Sequence, residues 1–427
     1  MDRDLKPNIL MIVEDHVAFY GHKQIKRPYL EQLKQEGVSF ENTYCSTPLC
    51  MPSRKTMMTG LYPHAHGQRD NSFETGYEQT ETYLGILKEQ GYDVIGVTMQ
   101  IWQDEDVFKQ SQEGGCCGLS AVEDARRVAA VLDIPYYVMN FKADFKKYVI
   151  DYFVSEYERA YTPNPCIACN RYVKWESLLH RSLEIGADYI ATGHYARIAQ
   201  LPNGRYTIAT SVTAEKDQTY ALYNLTQEQL RRTLMPVGEY EKPQIRRIAE
   251  EAGLPVAHKS DSQDICFVPD HDYASFIENE TGKTYEPGNF VDESGNILGR
   301  HKGLIHYTIG QRKGLGITAA TPLFVKELRP ATNEVVISTN ESLFSDTCYI
   351  SDINYMAQEH ITPDTRSIGK VRYSHRGADC TLTPMENGMI KCVFDEPQRA
   401  MTPGQAAVFY QDGHVLCGGT IEKMMVN

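Results

Sequence analysis

Residues 189–195 read YIATGHY, a short apolar run that ends in a glycine and a histidine. Such a run is typical of a buried strand that presents its last residues at the edge of a sheet. Upstream, the sequence predicts a capped amphipathic helix from Ser120, a strand over residues 136–141 and a helix over residues 145–160. Because strands and helices alternate, we expect an α/β domain with a parallel sheet, whose ligands bind at the carboxyl ends of its strands.

A second stretch, residues 162–170, reads TPNPCIACN and carries two cysteines. Its prolines favour an extended backbone up to Cys166, and residues 168–183 then have the pattern of an amphipathic helix. This places Cys169 in a first helical turn, where exposed N–H groups and the helix dipole favour a thiolate. A partner cysteine, Cys266, lies in the polar stretch SQDICF at residues 262–267. The sequence therefore predicts a pair of reactive thiols.

Two other interpretations of these cysteines stay open. A cysteine taken alone is more often a buried structural residue than a reactive one. Cys166 and Cys169 also have the spacing of a zinc-binding pair, but zinc needs a second pair of ligands. The adjacent Cys116 and Cys117 are poorly spaced for that role.

The composition is that of a globular protein with room for two to four domains. The 427 residues are 41% hydrophobic and 23% charged. No apolar run is long enough to span a membrane, and the N-terminus does not resemble a signal peptide, so we expect a cytoplasmic protein with no membrane partner. Eleven cysteines then suggest reduced thiols. The net charge of −13 argues against nucleic acid only if it is evenly spread, and basic residues cluster at 231–232, 246–247, 300–302, 312–313 and 370–376.

The first residues have a character of their own. Residues 7–13 predict a strand that ends in Glu14 and Asp15, and residues 50–54 read CMPSR. The segment from about residue 7 to 84 resembles the N-terminal part of the sulfatase family. That resemblance implies that Cys50 is the cysteine oxidised to formylglycine, Arg54 its partner and Asp15 a calcium ligand. Nothing after residue 92 continues the sulfatase pattern.

The later part of the chain changes from helical to β patterns. Residues 226–253 predict helix with paired basic residues. After Pro269 the apolar runs become short and are separated by glycines, and strands alternate from Glu334 to the end. Residues 346–427 therefore predict a small β-barrel.

Residues 85–427 resemble the tRNA 2-thiouridylase family, whose members replace the C2 oxygen of the anticodon wobble uridine with sulfur in an ATP-dependent reaction. The resemblance rests on six stretches: ATGHY at 191–195, KDQTY at 216–220, residues 262–267, residues 310–316, KVRY at 370–373 and TPGQ at 402–405. It implies a nucleotide-binding domain like that of the adenine nucleotide alpha-hydrolases, a small central domain and a C-terminal β-barrel. The domains would be residues 1–84, 85–225, 226–345 and 346–427.

The resemblance also implies roles for individual residues. Cys266 would carry the incoming sulfur as a persulfide, supplied by a donor protein, and Cys169 would be the second thiol, ending in a Cys169–Cys266 disulfide. ATP, with Mg as its counter-ion, would adenylate the base oxygen, and Met99 and Gly193 would contact the nucleotide. The residues implied at the target base are Asn164, Pro165 and Cys166, and those implied at the tRNA are His194, Lys216, Asp217, Gln218, Arg372, Tyr373 and Gln405.

The chain departs from the family at two places. Many members have Asp where this chain has Cys166. The family also opens with a strand and a phosphate-binding Ser-Gly-Gly-x-Asp-Ser loop, which is absent from all 427 positions. The apolar run before Glu14 could add a strand to the sheet, but Glu14 and Asp15 would place negative charge where phosphates bind. We interpret the chain as a fusion close to residues 87–92.

Three functional hypotheses follow. The first is a tRNA-uridine 2-sulfurtransferase whose activity is impaired by the missing loop. The second is a tRNA-binding protein that no longer adenylates the base. The third, with least support from the sequence, is sulfate-ester hydrolysis by the first 84 residues.

Overall fold

The computed structural model describes residues 8–13, 92–101, 119–254, 265–268 and 270–423. The chain divides into two compact units, residues 1–140 with 246–260, and residues 141–245 with 261–427. None of the helices in the described ranges combines the length and apolar character that crossing a membrane requires. The positions implied by the sulfatase resemblance, Asp15, Cys50 and Arg54, lie outside the described residues.

The first unit contains a parallel sheet. Strand β2 (Asp93–Gln100) pairs in parallel with β1 (Asn8–Val13) on one side and with β3 (Tyr136–Asn140) on the other. Helix α1 (Leu119–Val131) follows β2 in the chain and buries Val122 and Val128 on one face. The predicted alternation of strand and helix is confirmed, and the apolar run at residues 8–13 does supply a strand.

The second unit begins with two long helices. Helix α2 covers residues 142–158 as three continuous parts, Lys142–Phe145, the π-helical Lys146–Ile150 and Asp151–Glu158. Helix α3 covers residues 165–184 as Pro165–Ala168, the π-helical Cys169–Leu178 and Leu179–Glu184. The rings of Tyr148 in α2 and Tyr172 in α3 stack with their centroids 5.2 Å apart, so the two helices pack side by side.

Short strands and helices follow α3. Strand β4 (Tyr189–Ala191) is followed by a hairpin of β5 (Ala196–Gln200) and β6 (Tyr206–Thr210), helix α4 (Gln227–Arg231) and strand β7 (Thr233–Leu234), which pairs in parallel with β4. A 3-10 turn at Pro236–Glu239 leads to helix α5 (Lys242–Glu251). The prediction of helix throughout residues 226–253 was wrong between α4 and α5. Pro236 explains the break, since proline has no N–H and disfavours helical geometry in the residue before it.

The central part of the chain is a small sheet with one helix. Helix α6 (Tyr273–Thr281) precedes β8 (Gly288–Val291), β9 (Ile297–His301), β10 (Phe324–Arg329) and β11 (Glu334–Ser338), which are ordered β10-β11-β8-β9. Phe290, Val325 and Val335 are at its core. At its surface, hydrogen bonds from Lys326 and Ser338 hold the pKa of Glu293 at about 2.

The C-terminal part is a closed β-barrel, as predicted. Its six strands are β12 (Phe344–Tyr355), β13 (Thr365–Lys370), β14 (Ala378–Pro384), β15 (Ile390–Arg399), β16 (Ala406–Gln411) and β17 (His414–Ile421). Neighbours are antiparallel in the order β12-β15-β14-β13-β16-β17, and β12 pairs with β17 to close the ring. The core includes Ile350, Leu382 and Phe409. The β5–β6 hairpin joins the barrel through β6, where Ala209 pairs with His414.

Candidate active site

Helix α3 starts with a capping arrangement that positions both of its cysteines. The side-chain Oδ1 of Asn164 accepts hydrogen bonds from the backbone N–H groups of Cys166 (3.1 Å) and Ile167 (3.4 Å). Pro165 takes the first helical position, where its missing N–H costs nothing. The first turn is therefore Pro165–Ala168, and the prediction that Cys169 lies in it was wrong by one residue. Pro165 is the first residue of this helix, whereas the sequence analysis expected the prolines to keep the backbone extended up to Cys166.

The two cysteines differ in how much solvent they meet. Cys166 is exposed, whereas Cys169 is half-buried. Asn170, which follows Cys169, is 2% exposed and donates a hydrogen bond from Nδ2 to the carbonyl of Ala221 at 2.8 Å. This bond fixes the rotation of α3 against the segment that follows residue 216. Sequence reasoning missed Asn170, because a single polar residue in an amphipathic helix gives no signal of a buried hydrogen bond.

Cys266 is half-buried and is followed by an aromatic anchor. The ring of Phe267 makes edge contacts with Phe145 at 5.8 Å and Phe153 at 5.2 Å, both in α2, and lies 5.2 Å from Phe276 in α6. Because α2 also packs against α3, the segment that carries Cys266 and the helix that carries Cys169 are anchored on the same element.

The barrel holds the extended segment that leads into α3. The N–H of Thr162 donates to the carbonyl of Pro403 at 2.9 Å, and Nε2 of Gln405 donates back to the carbonyl of Thr162 at 2.7 Å. Gly404 sits between them with φ of +87°, and a Cβ there would lie 2.9 Å from the Thr162 nitrogen. Only glycine allows this approach without a shift of the backbone. The TPGQ stretch thus acts as a clamp, and we call residues 402–405 the barrel clamp.

The KDQTY stretch is folded against the barrel too. Asp217 accepts hydrogen bonds from the backbone N–H groups of Ser211 (2.9 Å) and Thr219 (3.3 Å). The hydroxyl of Tyr220 donates to the carbonyl of Ala406 at 2.8 Å, and that of Thr219 lies 3.1 Å from the Tyr410 hydroxyl. Lys216 is half-buried at the end of the 3-10 turn Ala214–Lys216. These hydrogen bonds therefore hold the backbone at the charged residues of the stretch, Lys216 and Asp217.

Tyr373 lies close to both the KDQTY stretch and Cys166. Its side chain is 52% exposed, and its ring makes an edge contact with Tyr220, with centroids 6.0 Å apart. Burial raises the pKa of Tyr373, and electrostatic interactions with Asp217 and Cys166 raise it further. The structure therefore brings Cys166, Asp217 and Tyr373 into one neighbourhood. Arg372, which precedes Tyr373 in the chain, is half-buried, and its Nη1 donates a hydrogen bond to the carbonyl of Arg399 at 2.9 Å.

The ATGHY stretch at the end of β4 contains an exposed residue, Gly193, and a buried one, His194. His194 is 8% exposed, its Nδ1 lies 2.8 Å from the Thr192 hydroxyl, and its ring is 5.5 Å from that of Trp175. Oε1 of Gln218 accepts a hydrogen bond from the N–H of Tyr195 at 2.8 Å, which ties this stretch to the next. These contacts make His194 and Gln218 structural supports of the site.

The two residues implied at the nucleotide fall in different units. Met99 is buried at 4% exposure near the end of β2, in the first unit. Gly193 follows β4 in the second unit, and a Cβ built there would meet no described atom within 4 Å. Gly193 is exposed, whereas the sequence contains no Ser-Gly-Gly-x-Asp-Ser loop for the phosphates. The residues present fit ATP only in part. Among the described residues, no group of three or more His, Cys, Asp or Glu side chains could hold a metal ion.

Comparisons with known proteins cover nearly the whole chain. The family models for the tRNA methyl transferase HUP domain, the tRNA methyl transferase PRC-barrel domain and the aminomethyltransferase beta-barrel domain match residues 81–270, 274–339 and 345–421. The model for type I phosphodiesterase / nucleotide pyrophosphatase matches residues 18–118 and so takes in most of the sulfatase-like segment.

Several curated relatives share high identity with the chain. The tRNA-specific 2-thiouridylase MnmA of Lachnoclostridium phytofermentans is 65% identical over 338 residues, which cover 79% of this chain and 95% of the relative. The protein of that name from Clostridium perfringens is 54% identical, covering 80% and 94%. That of Acetivibrio thermocellus is 55% identical over 370 residues, covering 86% and 99%.

Proposed function

Because this chain belongs to the family of tRNA-specific 2-thiouridylases, we propose that it transfers sulfur to C2 of the wobble uridine of tRNA in an ATP-dependent reaction. The observation that carries the proposal is the common anchoring of Cys169 and Cys266 on helix α2. In the reaction, ATP would convert the base oxygen into a leaving group. A sulfur nucleophile would then displace it.

Cys266 is proposed to carry the persulfide, delivered by a donor protein, and Cys169 to act as the second thiol. Both side chains are half-buried, which lets a sulfur react while limiting its loss to water. Phe267 fixes the position of Cys266, and Asn164 and Asn170 fix that of Cys169. Thiol exchange between the two closes the cycle with a Cys169–Cys266 disulfide.

The tRNA is proposed to lie over the exposed side of the barrel clamp and of the KDQTY stretch. Tyr373 is the best placed to contact an unstacked base, because the residue is half exposed and close enough to Cys166 to interact with it electrostatically. Lys216 and Arg372 would contact phosphates, and Asp217 would hold Lys216 in place through the backbone. Gln405, Gln218 and His194 support the proposal by fixing the segments that meet the RNA. Asn164 and Pro165 would contribute the start of α3 to the target-base pocket.

We propose further that ATP use is weakened, with Mg2+ serving only as the counter-ion of the nucleotide. The missing Ser-Gly-Gly-x-Asp-Ser loop favours a second candidate function, which is tRNA binding without adenylation. Gly193, which is exposed, would still be open to the adenine nucleotide, and Met99 is the other residue that the family resemblance implies for this role. The proposed place of action is the cytoplasm, where tRNA is found.

Incubation of the purified full-length chain with unmodified tRNA, ATP and a persulfide donor separates these candidates. Release of AMP together with thiolated tRNA supports the sulfurtransferase. Binding of tRNA with no AMP released supports the second candidate and overturns the first. Turnover of a chromogenic sulfate ester would instead assign an activity to the sulfatase-like segment.

A further inference from the structure

The Cys166-x-x-Cys169 pair at the start of α3 has a geometry that the two-cysteine reaction does not use. Cys169 has helical dihedrals (φ −59°, ψ −48°), as does Ala168 before it (φ −62°, ψ −43°). Cys166 follows the proline that starts the helix. The two cysteines are three residues apart, so their side chains lie on one side of the helix.

Helix geometry brings these two thiols close enough that a disulfide needs only a local shift of the first helical turn. Three residues of α-helix rise by about 4.5 Å and turn by about 300°, which places the two Cα atoms roughly 5 Å apart. Disulfides are formed across Cα distances of about 4.4 to 6.8 Å. The Cα distance falls inside that range. The Cβ atoms of residues three apart on a helix lie about 5 to 6 Å apart, and a disulfide needs about 3.5 to 4.5 Å, so closing the bond draws the first turn of α3 slightly together.

Solvent exposure decides which cysteine an external reductant meets first. Cys166 is exposed, whereas Cys169 and Cys266 are both half-buried. A small reductant in solution therefore meets Cys166 first. A disulfide between the two half-buried cysteines is the one that a reductant reaches least easily.

We infer that Cys166 is a resolving thiol, which takes over the Cys169–Cys266 disulfide and presents it to solvent. The Cys166 thiolate attacks Sγ of Cys169, the new Cys166–Cys169 bond forms, and Cys266 leaves as a thiolate with the electron pair of the broken bond. The proton lost by Cys166 passes to solvent. An external dithiol then reduces the Cys166–Cys169 disulfide, being oxidised to its own disulfide. The inference rests on the proposed function for its place in a cycle, but the exchange itself needs neither tRNA nor ATP.

The alternative is that Cys166 only fills the position where many family members have Asp, and contacts the target base. The two roles predict different chemistry at this residue. A base contact has no need of a second sulfur one helical turn away, and it predicts that the two thiols behave independently towards an oxidant.

The test is disulfide mapping of the full-length chain, and the sequence suits it. Trypsin releases residues 160–171 as one peptide that holds both Cys166 and Cys169, and residues 260–283 as another that holds Cys266. The protein is equilibrated in glutathione redox buffers, alkylated and digested. We expect the first peptide to accumulate with an internal disulfide, so that it takes up no alkylating agent and is two hydrogen atoms lighter than the dithiol. A peptide that is always alkylated at both cysteines, or that carries glutathione on each separately, overturns the inference.

Two variants sharpen the result. Cys266→Ser must keep the internal disulfide, since Cys266 is not part of it. Cys166→Asp, which restores the residue of many relatives, must lose it and must accumulate instead the cross-link between the two peptides under the same buffers. If wild type and Cys166→Asp accumulate the same cross-link, Cys166 is not a resolving thiol. If the wild type makes no thiolated tRNA but does form the internal disulfide, the proposed function fails while this inference stands.

Discussion

Replacing Gly404 with alanine should release the barrel clamp from the segment that leads into α3. The added Cβ would lie 2.9 Å from both the Thr162 nitrogen and the Tyr161 Cβ, closer than a Cβ tolerates. One of these atoms is backbone, so the clash is relieved only by a shift of the chain. Overpacking of this kind costs about 1 to 3 kcal/mol. The positive φ adds about 1 to 2 kcal/mol for a residue that has a Cβ.

The barrel offers a matched control in Gly388, which has φ of +79° and no described atom within 4 Å of an added Cβ. Gly388→Ala carries the cost of the positive φ alone. The difference between the variants is then the clash, about 1 to 3 kcal/mol, which corresponds to a factor of roughly 5 to 150 in a local opening equilibrium. Because the chain has several domains, a local measurement is more informative than global unfolding.

Hydrogen–deuterium exchange at the Thr162 amide supplies that measurement, since this N–H donates to Pro403 across the clamp. Exchange should be faster in Gly404→Ala than in Gly388→Ala by the factor given above. The rate of thiol alkylation at Cys169 should also differ between Gly404→Ala and Gly388→Ala. Equal exchange at Thr162 in the two variants would refute the view that the clamp holds this segment.

Three further outcomes are expected. Phe267→Ala should lower the stability of the second unit by about 3 to 5 kcal/mol in denaturant and speed alkylation of Cys266, whereas the exposed Phe344→Ala should do neither. Asn164→Ala should cost about 1 kcal/mol and speed exchange of the two amides that it caps, and Asn164→Asp should leave them protected. Because the folded pKa of Glu293 is held at about 2, below its ordinary 4.5, its stabilising effect is present above that ordinary value and is lost as the pH falls towards 2. The unfolding midpoints of wild type and Glu293→Gln should therefore converge between pH 5 and 2, and a constant difference would contradict this.

Local sequence patterns predicted the fold where the structure of an element depends on its own residues. The alternation around β3, α2 and β4 and the closed barrel were read from apolar periodicity and turn residues. The prediction failed between α4 and α5, where Pro236 breaks the helix and a two-residue strand pairs with β4 far away in the sequence. Such pairing depends on tertiary contacts that no local pattern carries. The domain boundaries at residues 84, 225 and 345 stay predictions.

The sequence predicted a chemistry for the site but not the contacts that support its residues. Cysteines that follow two prolines or lie in a polar loop pointed to thiol reactivity, which stays a prediction. Cys166 is exposed, and Cys169 and Cys266 are half-buried. Gln405 was expected to face RNA, yet its amide holds the carbonyl of Thr162, and the buried amide of Asn170 was missed. Their partners lie 243 and 51 positions away, distances at which a sequence gives no geometric information.

The barrel clamp also sets the order in which the protein can mature on the ribosome. Thr162 is held by Pro403, so the two halves of the contact are made 241 positions apart (403 − 162). At about 5 to 20 residues per second, synthesis of the intervening chain takes roughly 12 to 48 seconds. During that time the segment that leads into α3 lacks its contact with the barrel clamp. A message truncated shortly before codon 403 would thus yield a chain with every cysteine of the site but without the contact that holds the segment leading into α3.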